Sequence, residues 1–171
     1  MKSRLKNLSI IIILVFALVF FISLFKVQKY DTSHLIGVTI PNFTIKNFDG
    51  VERTTHLELK NNNYTLINFW ASWCKACIEE HEQLMKIKNN LDVKILGIYY
   101  KDNKKNAKNF LIEHGNPFYK ILKDKSGKAS VNLGIYAIPE SILINKDLIV
   151  LKKIIGPINQ KNYNEIVEII K

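Results

Sequence analysis

Cys74 and Cys77 are the only two cysteines of a 171-residue chain, and they stand two residues apart in Asn68-Phe69-Trp70-Ala71-Ser72-Trp73-Cys74-Lys75-Ala76-Cys77. A lone pair at this spacing cannot build a framework of structural disulfides or supply a four-thiolate zinc site. Reversible dithiol/disulfide exchange is the chemistry left to it. The residues before the pair, 64–70, are aromatic, aliphatic and β-branched, the pattern of a strand buried on both faces. The residues after it place Ile78, Leu84, Met85, Ile87 and Leu91 at helical spacing, with acids early and lysines late as the helix dipole favours. Cys74 then sits at a helix N-terminus, where unpaired N–H groups stabilise a thiolate, and Cys77 lies one turn further in and is more buried. Cys74 is thereby expected to attack and Cys77 to resolve.

The elements that must carry this strand-to-helix corner follow along the chain. Residues 39–45 and the Asp49-Gly50 turn suggest an opening hairpin. Residues 93–100 read as a second central strand, and 104–114 as a helix with Ala107, Phe110, Leu111 and His114 on one face and Gly115 at its end. Residues 141–144 and 149–155 flank Asn145-Lys146-Asp147 as a second hairpin, and Asn162 with Glu165 suggests a capping box for a last helix carrying Tyr163, Ile166, Val167 and Ile170 on one face. The implied class is α/β, a mixed central sheet with helices on both faces.

Residues 8–25 are uncharged and strongly apolar, near the length needed to cross a bilayer as a helix, and no small-x-small cleavage site follows them. The expected organisation is a cytoplasmic N-terminus over 1–7, a transmembrane anchor over 8–25, a linker over 26–36 and one domain over 37–171. Lys2, Arg4 and Lys6 before the span favour a cytoplasmic N-terminus, and a dithiol domain outside the cytoplasm fits that orientation. The formal net charge is +10, from 25 Lys and Arg against 15 Asp and Glu. The basic side chains are spread over 101–108, 120–128 and 152–153 without a nucleic-acid motif, so they read as solvated faces with some attraction to anionic lipid, and no nucleic-acid partner is expected.

The segment 68–77, followed by Glu80-His81, by Gly115-Asn116-Pro117-Phe118 and by Leu133-Gly134-Ile135-Tyr136-Ala137-Ile138-Pro139-Glu140, resembles the thioredoxin superfamily. More narrowly it resembles the membrane-anchored thiol:disulfide interchange proteins of cytochrome c maturation, the DsbE/CcmG type, from about Gly37 to the C-terminus. The resemblance implies a thioredoxin-like fold with an N-terminal β-hairpin and an inserted helix, here 104–114. It also implies a cis Ile138–Pro139 bond packed against the disulfide, with the Ile138 backbone free to pair with an extended substrate. The activity implied is reduction of the disulfide of apocytochrome c haem-attachment cysteines, or of a haem-lyase-associated thiol protein that carries it. A membrane electron donor would re-reduce the pair, and the domain would face the periplasm from the inner membrane. No cofactor and no metal are expected.

Around the pair, Trp73 is expected to be an exposed docking residue and Trp70 a core one. Ordinary thioredoxins relay the resolving thiol's proton through a buried aspartate, but Asn68 stands at that position and cannot titrate. Glu80, three residues after Cys77, and Glu140, after Pro139, are the candidates for that proton work. Lys75 replaces part of the family's usual proline-containing pair and should make this dithiol less strongly reducing than thioredoxin. His81 is expected to be a partly exposed packing residue, with His34, His56 and His114 having no reason to converge on it. The competing functions are a general membrane-anchored thioredoxin-like reductase, a copper chaperone for a respiratory oxidase using Cys74, Cys77 and a histidine, and a non-catalytic binding module.

Overall fold

A computed structural model describes residues 2–25 and 35–171, without the side chains of 2–6, 8, 9, 24 and 25. Two compact units result, Met1–Asp31 and Thr32–Lys171. The first contains helix α1 (Lys2–Phe25), whose described side chains from 10 to 23 are all exposed. Among the described residues no helix is long and apolar enough to cross a membrane, and the expected span 8–25 extends beyond the described side chains. Of the expected linker, 26–34 lies outside the described residues.

The second unit is built on a seven-stranded sheet in the order β2-β1-β5-β4-β3-β6-β7. The strands are β1 (Thr44–Asn47), β2 (Arg53–Thr55), β3 (Tyr64–Trp70), β4 (Lys94–Tyr100), β5 (Lys120–Asp124), β6 (Glu140–Asn145) and β7 (Val150–Ile155). β3, β4 and β5 are parallel, while β6, β7 and the β1–β2 hairpin join antiparallel. The helices are α2 (Lys75–Asn90), α3 (Lys104–His114), α4 (Lys128–Asn132) and α5 (Gln160–Ile170).

The period-two alternation of β3 divides the core. Leu66 and Trp70 pack with Leu84 and Ile87 of α2, Phe110 of α3 and Ile166 of α5. Ile67 and Phe69 pack on the other face with Leu96, Ile98, Ile142 and the chain entering β1 at Ile40 and Phe43. Phe118 lies flat on Trp70, centroids 5.3 Å apart, and a Cβ at Gly97 would meet that ring at 2.7 Å. Gly97 is thus what lets the aromatic layer settle on the sheet beneath the cysteine pair.

The opening hairpin forms, but β1 begins at Thr44, later than expected. Residues 37–40 instead lie along β7: Gly37 N–H donates to the Val150 carbonyl, Val150 N–H to Val38 and Ile40 N–H to Leu148. The last helix is capped one turn earlier than the Asn162/Glu165 reading placed it. Asn159 is the N-cap, its side chain accepting from Asn162 N–H at 3.0 Å while Asn162 Oδ1 accepts from Asn159 N–H at 3.2 Å. The sequence reading passed over β5 and α4, where lysines interrupt the apolar pattern. There Asp124 is buried and its carboxylate accepts from Gly127 N–H and from Ser130 N–H and O–H, which shapes the turn.

Candidate active site

β3 delivers the chain to Ala71, and Cys74 becomes the N-cap of α2, accepting on Sγ from Cys77 N–H at 3.2 Å. The two cysteines form a disulfide with Cα atoms 5.3 Å apart, Cys77 1% exposed and Cys74 7%. Cys77 is thus the more buried of the two, as expected. Ser72 N–H donates to the Asp102 carboxylate at 2.7 Å, fastening the approach to the pair onto the loop after β4.

Opposite the pair runs the loop from Gly134 to Glu140. Its Ile138–Pro139 peptide is cis, and the Ile138 carbonyl oxygen lies 3.8 Å from Cys74 Sγ. Glu140 braces this loop from beneath: Oε1 accepts from Tyr136 N–H at 3.1 Å and Ala137 N–H at 2.9 Å. Its other oxygen meets Lys153 Nζ at 2.8 Å, and that ammonium also donates to the Gly134 carbonyl at 2.5 Å. Both side chains of this ion pair are buried. Above the loop, Trp73, Tyr100, Ile135, Tyr136, Ala137 and Ile138 enclose a cleft of about 320 Å³. Trp73 is 60% exposed and Trp70 1%, the exposures expected of them.

Glu80 is wholly buried one turn beyond Cys77 on the buried face of α2. Oε1 accepts from Asn68 Nδ2–H at 2.8 Å and Oε2 from Ile158 N–H at 2.9 Å; Asn68 also donates to Ser141 Oγ at 3.0 Å. Its partners are neutral. Desolvation therefore pushes its pKa up from 4.5 to about 7 against the lowering effect of those two hydrogen bonds. A carboxyl group that titrates near neutrality beside a buried thiol can exchange a proton with it.

Matching this arrangement to known proteins decides its kind. Residues 35–168 match the Redoxin family. The thiol:disulfide interchange protein DsbE of Pseudomonas aeruginosa is 34% identical over 166 residues, 96% of this chain and 91% of the relative. That of Allochromatium vinosum is 30% identical over 133 residues, 78% of this chain and 74% of the relative. The chain belongs to the redoxin family, as a thiol:disulfide interchange protein of the DsbE type. The thioredoxin domain of a thiol-disulfide oxidoreductase from Bacteroides vulgatus shares the fold, with a TM-score of 0.68 at 19% identity over 80% of this chain and 98% of that one. The thioredoxin-like fold is thus shared, and the protein is a thiol-disulfide oxidoreductase.

Within this interchange protein, His81 departs from its expected place. It is buried, not partly exposed, because its Nε2–H reaches the Gly115 carbonyl at 2.8 Å and its ring stands edge-on to Phe110. Burial holds its pKa below the usual histidine value, with His114 adding to the effect. His114 does converge on it, ring centroids 6.0 Å apart, whereas His34 lies outside the described residues. Among the described residues no group of three or more His, Cys, Asp or Glu is placed to hold a metal ion.

Lys153 is the site residue that sequence reasoning missed. The signal for it was a lysine pair inside an otherwise apolar strand, Leu151-Lys152-Lys153-Ile154-Ile155, of which one must face inward.

Proposed function

We propose that the chain is a membrane-anchored reductase that faces the periplasm and opens the disulfide of apocytochrome c haem-attachment cysteines, or of a haem-lyase-associated thiol protein carrying that disulfide. The observation that carries this reading is the seat of Cys74, at the N-terminus of α2 with its sulfur against the carbonyl before the cis-proline. In the reduced protein the Cys74 thiolate attacks one sulfur of the substrate disulfide. A mixed disulfide forms, the substrate S–S bond breaks, and the departing substrate thiolate takes a proton. Cys77 then loses its proton to Glu80, directly or through water, and attacks Cys74 Sγ. The Cys74–Cys77 bond forms, the mixed disulfide breaks, and the second substrate sulfur leaves as a thiol. Two electrons have passed to the substrate, and a membrane dithiol donor returns them.

Glu80 and Glu140 divide the labour in this reading. Glu80 handles the proton, because its partners are neutral and burial raises its pKa to about 7. Glu140 holds the substrate loop, since its oxygens are taken by Tyr136, Ala137 and Lys153. Trp73 and Ile138 line the cleft that receives the substrate segment. For location, the support is the uncharged run 8–25 behind Lys2, Arg4 and Lys6, within helix α1. The domain would begin near residue 37.

Replacing Cys77 by alanine removes the resolving thiol, so the mixed disulfide accumulates and identifies the substrate. The expected capture is a haem-attachment polypeptide or its thiol partner, released from membranes by detergent and not by carbonate. Capture by Cys74→Ala instead would reverse the roles of the two cysteines. Carbonate release of the intact chain would remove the anchor.

A further inference from the structure

A trough of positive charge leads away from the cleft beside Cys74. The cleft and the next depression share Tyr100; that depression holds Lys101 and Lys128, and shares Ser126, Lys128 and Asn132 with a larger groove. The larger groove has a volume of about 630 Å³ and is lined by Lys46, Arg53, Lys123, Lys125 and Lys128. The three depressions therefore adjoin in series, each sharing at least one lining residue with the next.

The cations on this path are not offset by neighbouring acids. None of these six residues has an ion pair among the described residues. The one carboxylate lining the path, Asp124, is buried and engaged by Gly127 and Ser130. At the cleft end, Asp102 is held by Ser72 N–H and Asn103 N–H. Further, Arg53 stands directly across from Lys46 on β2 and β1, and Lys46 directly across from Lys123 on β1 and β5. Like charges directly opposite one another across strands are destabilising. Folding alone gives no reason for a three-strand ladder of cations without an acid, and an anionic partner laid along it would reverse the sign of its contribution.

We infer that the trough from Tyr100 to Lys46 binds an acidic segment of the polypeptide whose disulfide enters the cleft beside Cys74, so that substrate choice is made by charge flanking the disulfide. This rests on the exchange reaction proposed above and adds the class of substrate to it. A polypeptide is favoured over a lipid surface because the basic depressions adjoin, through Tyr100, the cleft lined by Trp73 and by Ile138, whose carbonyl lies 3.8 Å from Cys74 Sγ, and a chain extending at about 3.3–3.6 Å per residue passes from one depression to the next within a short segment.

The test uses the full chain, reduced, in detergent, with two peptide disulfides of the same core, one flanked by a run of glutamates and the other by glutamines. At an ionic strength of about 0.01 M, where charges are felt over about 30 Å, the acidic peptide is expected to be reduced about tenfold faster. The ratio should approach one at about 1 M salt, and also in K46E/K123E, read as the ratio of the two peptides on that protein. Should K46E/K123E fail to fold, the salt series on the wild-type chain decides alone. Equal rates at low salt would overturn the inference while leaving the exchange reaction standing. Equal rates together with salt-sensitive binding to vesicles of anionic phospholipid would overturn it in favour of the membrane surface. If neither peptide is reduced, the exchange reading fails and the inference falls with it.

Discussion

Two buried glutamates lie on opposite faces of the same stretch of sheet, and they are solvated by the protein in opposite ways. In the β3–β6 ladder Asn68 stands across from Ser141 and Phe69 across from Glu140. Asn68 and Ser141 point to the α2 face, where Asn68 donates to both Ser141 and Glu80; Glu140 points to the other face, where it meets Lys153. Glu80 receives two neutral donors, and its pKa rises to about 7. Glu140 receives two backbone N–H groups and a full positive charge. Burial alone does not make a carboxylate an acid–base group. The charge of its partners decides whether it holds structure or handles a proton.

Breaking the charged side of this contrast should have the larger effect. Lys153→Met strands a buried carboxylate and is expected to cost about 3–5 kcal/mol. Denaturant unfolding of the oxidised protein reads it. Lys153→Arg should restore most of the stability and the rate of mixed-disulfide formation together. A cost below about 1 kcal/mol would mean that the ammonium is not what holds the loop.

On the neutral side the effect is smaller and of different form. Because the folded-state pKa of Glu80 lies above its unfolded value of 4.5, its contribution to stability is fully present below 4.5 and is lost as pH rises toward about 7, roughly 3 kcal/mol in all. Glu80→Gln should flatten that slope. The variant should fold, since Asn68 Oδ1 is buried without a partner among the described residues and a flip of its amide would accept from the new glutamine. The same variant should slow resolution of the mixed disulfide at neutral pH by about tenfold to a hundredfold, in stopped-flow reduction of a peptide disulfide. An unchanged slope and an unchanged rate would make Glu80 a structural residue like Glu140.

The two halves of this contrast were unequally legible in the sequence. β3, the helix after the cysteines, 104–114 and the cis-proline loop could all be read, because each rests on local periodicity or on a motif. Asn68 was legible as the one strongly polar residue late in an apolar strand. The burial of Glu80 was not, since an acid early in a helix is equally well explained by the dipole, and its cover comes from Ile158, 78 residues later. Which member of the Lys152-Lys153 pair turns inward was also hidden. It depends on a register shift in the β6–β7 ladder between Leu143 and Ile144, beyond which Lys153 stands across from Ile142. Asn159 was passed over as a cap because Asn162 offered the same signal three residues on.

The strap formed by residues 37–40 covers the start of one margin of the sheet. A seven-stranded open sheet has two bare margins, each a template on which another molecule can pair. One margin is β2, only three residues long and opened by a charged arginine. The other is β7, where the arriving chain occupies the positions around Leu148 and Val150 that a neighbour would otherwise use. A fragment cut to begin beyond Ile40 would keep every residue of the cysteine site yet expose that margin, and sheet-to-sheet association rather than loss of chemistry would then be its characteristic failure.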